Sequence, residues 1–113
     1  MKRAQEVGPP GKLGDNVATM ELQEFQQTLS EVLPPEGLSP ALLALWWDGK
    51  GDWDKAHGFA QSDKSDAAQW VHAYLHRVEG DLSNAGYWYR RVGKPACNSS
   101  LADEWREIAA ALL

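Results

Sequence analysis

The sequence predicts an all-α fold of about six helices in antiparallel hairpins, and three observations carry that expectation. Apolar residues recur at helical spacing in several runs, and no stretch sustains the period-two alternation of a half-buried strand. The run Gly51-Asp52-Trp53-Asp54-Lys55-Ala56 returns 29 residues later as Gly80-Asp81-Leu82-Ser83-Asn84-Ala85. The echo extends backwards, with Ala44 matching Ala73 and Trp46 matching Leu75. In each copy a helical run meets a Gly-Asp corner and a second run opens, which describes two hairpins in tandem. An amphipathic segment on either side is suited to cap the ends of the stack.

The elements follow in order. Residues 1–17 hold Pro9-Pro10, three glycines and no periodicity, so they read as a flexible leader before a single helical domain over 18–113. The first helix is expected from about Met20 to Leu33, capped by Thr19, with the stripe Leu22, Phe25, Leu29, Val32 and Leu33. Pro34-Pro35 stops it, because proline lacks a donor and disfavours helix before it. Ser39-Pro40 opens the second helix, with a cap oxygen followed by a ring preset for the first turn. Leu42, Leu43, Leu45, Trp46 and Trp47 make it apolar nearly all round and hence central. Asp52 caps a third helix over about Trp53 to Gln61. A fourth runs from Asp66 to Val78, and a fifth from Leu82 to about Val92. Ser100-Leu101-Ala102-Asp103 has the form of a capping box and opens the last helix, whose stripe is Leu101, Trp105, Ile108 and Leu112.

Composition narrows the function classes. A chain of 113 residues, 43% hydrophobic, suffices for one core, and six tryptophans supply large apolar surfaces to fill it. A formal charge of −5 argues against nucleic acid and against an anionic membrane surface. The single cysteine, Cys97, excludes an internal disulfide framework and fits a reducing compartment. The longest apolar stretch, Ala41 to Trp47, is too short to span a bilayer, and no apolar run follows Lys2 and Arg3 as a secretion signal requires. A cytoplasmic location is the expectation.

Alanines twelve positions apart flank both corners: Ala44 with Ala56, and Ala73 with Ala85. With Gly51-Asp52, Gly80-Asp81 and Tyr89, this pattern resembles the tetratricopeptide and Sel1-like helical repeats over about residues 41 to 95. The resemblance implies close-packed hairpins and a groove that takes a peptide or protein. The run from Trp70-Val71-His72-Ala73 to Tyr87-Trp88-Tyr89-Arg90-Arg91 also resembles a group of small microbial proteins without an assigned activity, and implies no function.

Two constellations are candidates for a site. Tyr74, Arg77, Asn84, Tyr87, Tyr89 and Arg90 bring guanidinium groups beside aromatic rings, a combination suited to a peptide carboxylate. On this basis the leading reading is a non-enzymatic interaction module with a protein or peptide partner and no cofactor. A homodimer through exposed aromatics is a further possibility. The alternative reading is a metal-binding or hydrolytic protein holding a divalent transition metal such as zinc on His57, His72, His76 and Glu79. His72 and His76 are four apart and Glu79 three further on, so the three share a helix face. Helical periodicity turns that face toward water, whereas the repeat register turns it into the packing between helices, where His57 approaches. No nucleophile signature accompanies the histidines, and Cys97 has no adjacent activator, so the sequence leans away from an enzyme.

Overall fold

A computed structural model of the chain describes residues 20–113, so the expected leader lies outside the described residues, while the first helix begins at Leu22 with Glu21, not Thr19, at its N-cap. Among the described residues there are six α-helices: α1 (Leu22–Gln27), α2 (Pro40–Gly49), α3 (Trp53–Gln61), α4 (Asp66–Val78), α5 (Leu82–Arg91) and α6 (Leu101–Leu112). No strand occurs among the described residues, and no described helix is long and apolar enough to cross a membrane.

Local chemistry sets most helix starts. Ser39, Asp52, Ser65, Asp81 and Ser100 each accept a hydrogen bond from the backbone N–H three residues on, satisfying a donor the helix cannot use. At Ser100 only half of the expected box forms, because the Asp103 carboxylate pairs with Arg106 at 2.5 Å.

The sequence echo is matched bond for bond at the corners. The Gly51 N–H donates to the Asp48 carbonyl and Asp52 N–H to Trp47, both at 2.9 Å. Twenty-nine residues later, Gly80 N–H donates to Arg77 at 3.1 Å and Asp81 N–H to His76 at 2.9 Å. This pattern needs a left-handed residue after the helix, and Gly51 (φ 86°) and Gly80 (φ 88°) supply it without Cβ strain.

α2 packs on α3, α4 on α5, and α3 and α2 on α4, while α6 lies against α4, α2 and α1. Ala44, Ala56, Ala73 and Ala85 are all buried, leaving room for close helix approach at both hairpins. Trp46, Leu45, Val71, Leu75, Phe25 and Ile108 fill the centre, with Phe25 stacked on Trp105 at 5.6 Å. Two buried indoles find acceptors: Trp46 donates to Thr28 Oγ1 at 3.0 Å and Trp105 to the Leu45 carbonyl at 2.9 Å.

The first helix is shorter than its apolar stripe implied. It stops at Gln27 and passes through a 3-10 turn, Thr28–Ser30, leaving Val32 and Leu33 exposed. Thr28 Oγ1 bonds back to the Phe25 carbonyl at 2.6 Å while accepting from Trp46. Lys50 Nζ then captures the carbonyls of Leu29 and Glu31, each at 2.7 Å, so the chain leaves the helix before Pro34.

Candidate metal centre

Two adjoining helices build the centre. α3 presents His57, four residues after Trp53, and α4 presents His72 and His76 one turn apart. Both α4 histidines are buried, at 6% exposure each, so they point into the packing between helices and not toward water. His57 is half-buried. One ligand atom from each histidine falls in a cluster whose members all lie within 4.8 Å of one another. His57 Nε2 and His72 Nε2 are 3.0 Å apart, a hydrogen bond in which one ring donates and the other accepts. His76 Nδ1 lies 2.7 Å from Glu79 Oε2.

Two tryptophans hold the imidazoles in place. Trp53 stacks on His57 with centroids 4.7 Å apart, and its Nε1 donates to the Leu75 carbonyl at 2.8 Å. Trp88, from α5, stacks on His72 at 4.1 Å, and His72 stacks in turn on His76 at 4.8 Å. Neither tryptophan entered the sequence-derived metal site. Trp53 stands four residues before His57, a helical neighbour relation visible in the sequence, whereas Trp88 is placed by tertiary packing alone.

Electrostatics favours neutral, ligand-competent rings. Burial, with His57 and His76 beside it, pushes His72 down to about 4. Burial also lowers His57, helped by His76 and opposed by the Glu79 and Asp54 carboxylates. A metal ligand needs a free nitrogen lone pair, which a neutral imidazole offers and an imidazolium does not.

The other sequence-derived residues are distributed differently. Tyr74 is buried and donates to Asp48 Oδ2 at 2.8 Å, where burial raises the Asp48 carboxyl against the pull of that hydrogen bond. Arg77 donates to Glu104 Oε1 at 2.8 Å and to the Ser99 carbonyl. Tyr89 donates to Glu104 Oε2 at 2.5 Å. Arg77 and Tyr89 therefore clasp a carboxylate as their chemistry suggests, but it is this chain's own, delivered by α6. Tyr87 and Arg90 are exposed on α5, where the Tyr87 hydroxyl accepts from Arg91 at 3.3 Å, and Asn84 is half-buried at the start of that helix. The six are thus split between the interior and the α5 surface. Cys97 is a half-buried free thiol 3.0 Å from Ser99 Oγ.

No family model, no curated protein and no solved structure matches the chain.

Proposed function

We propose that this protein binds a divalent transition metal through His57, His72 and His76, with Glu79 orienting His76. The observation that carries the reading is convergence: three imidazoles from two helices offer ligand atoms within 4.8 Å of one another. Zinc–nitrogen bonds of about 2.0–2.1 Å in a tetrahedral centre put ligand nitrogens roughly 3.3 Å apart. The 3.0 Å His57–His72 separation is already close to that spacing. Imidazole donors suit zinc, copper or nickel over magnesium or calcium.

The interaction-module reading draws on the helical-repeat likeness. Its key groups, Arg77 and Tyr89, are engaged by Glu104, so a partner at that seat has to displace α6. The metal reading asks for no such displacement.

Thermal unfolding with and without zinc tests it. At a free zinc concentration about 100 times Kd, mass action adds about 2.7 kcal/mol. That corresponds to a melting-temperature rise on the order of 10 °C for a domain of this size. Reversal by chelator and loss of the rise in His57→Ala or His72→Ala are expected; an unmoved melting temperature in the parent protein rejects the reading.

A further inference from the structure

We infer that the histidine centre is coordinatively open, its fourth ligand an exchangeable water whose place is taken by a small monodentate anion or oxygen donor. The inference rests on the metal-binding reading above and says what that site does with its remaining valence.

Two features support it. Among the described residues, the histidine cluster has three members, and the one other candidate group, His76 with Glu79 and Asp81, shares only His76 with it. Glu79 is committed to the Nδ1 side of His76 by its 2.7 Å contact, which leaves Nε2 as the free donor nitrogen. A tetrahedral ion on three histidines therefore takes its fourth ligand from solvent, the arrangement of catalytic and not of closed structural zinc sites.

The side open to solvent is also defined. Trp88 covers one face of His72, and Trp53 covers one face of His57. His72 and His76 are almost wholly buried, whereas His57 is half-exposed, so exchange proceeds past His57. Three neutral ligands leave the ion's double charge undiminished by its own donors. An ion in that state attracts a fourth ligand carrying negative charge or an oxygen lone pair, and polarises it.

Cobalt(II) is the probe, because its visible absorption reports coordination. The full-length protein is loaded with cobalt and titrated with azide. A saturable change in the cobalt bands, one azide per cobalt, is the expected result. Bands indifferent to azide, with cobalt still bound, mean that a protein group closes the centre, and the inference falls while the metal reading stands. A response that appears only in Glu79→Gln names Glu79 as the fourth ligand and overturns the inference equally. Cobalt uptake no greater than that of His57→Ala removes the metal reading itself, and this inference with it.

Discussion

His76 Nδ1 and Glu79 Oε2 stand 2.7 Å apart, with the carboxylate at the C-cap of α4 one turn beyond the ring. A carboxylate on one imidazole nitrogen fixes the tautomer, turns the other nitrogen outward as a lone pair and raises its basicity. Glu79 is thus a positioning residue for the centre. Glu79→Gln keeps the side-chain shape and a hydrogen-bonding group but removes the charge. Zinc affinity is expected to fall about 10- to 100-fold, in the range for outer-sphere partners. Competition with a chromophoric chelator measures it. The Glu79 side chain is 38% exposed, so the metal-free melting temperature should hardly move. An unchanged affinity rejects the role.

The metal-free protein should lose stability in mild acid through His72. Its folded value, about 4, lies below the ordinary histidine value of 6.5, so the unfolded chain binds the proton more readily. The stabilising contribution is complete above pH 6.5, shrinks as pH falls, and is gone below about 4. The lowered His57 adds in the same direction, with Glu79 and Asp54 opposing it. Urea midpoints in chelator between pH 7 and 4, compared with His72→Gln, isolate the effect. The parent should show the steeper decline, and parallel curves count against a neutral buried His72.

Legibility in the sequence followed the range of the interactions. The Gly-Asp corners were readable because a left-handed glycine and an aspartate cap are local chemistry, and the pairing of His72 with His76 is helical geometry. The early end of α1 was not readable. It depends on Lys50 and Trp46, which reach back 19 to 21 and 18 residues respectively. His57 was brought to the other two by the repeat register, since no local pattern joins it to them. Arg77 and Tyr89 were legible as a seat for a carboxylate. That the occupant is Glu104, 27 residues beyond Arg77, is tertiary information.

Two glycines with equally open surroundings but different backbone conformations give opposite signs on substitution by alanine. Gly80 has φ +88°, where an L side chain is strained even with open space around it. Gly80→Ala should cost about 1–2 kcal/mol. Gly58 lies inside α3 with nothing within 4 Å of an added Cβ. Gly58→Ala should stabilise by about 0.4–1 kcal/mol, chiefly by narrowing the unfolded ensemble. Chemical denaturation of both variants checks the pair, and destabilisation at Gly58 contradicts the helical assignment there.

Glu104 is the most deeply buried charged group described, at 1% exposure, and it is held by Arg77 and Tyr89. Burial, reinforced by the Glu104 hydrogen bond and charge, raises the Tyr89 hydroxyl, so it stays protonated and donates. Arg77 also donates to the Ser99 carbonyl just before α6, so one guanidinium joins α4 to both the start and the first turn of α6. Taking both charges out of water costs several kcal/mol per ion, and their attraction roughly offsets it. The pair therefore adds little net stability, yet breaking it is expensive because Glu104 then stays buried without a counter-charge, held by Tyr89 only. Arg77→Met should destabilise by about 3–5 kcal/mol. Tyr89→Phe, which removes one donor, should cost about 1–3 kcal/mol. Arg77→Met combined with Glu104→Met should recover most of the loss of the single variant, because no charge is then stranded. Urea unfolding of Arg77→Met, Glu104→Met, their combination and Tyr89→Phe provides the measurement. A double variant as unstable as the sum of its singles means that the two residues act independently, against the geometry of the clasp.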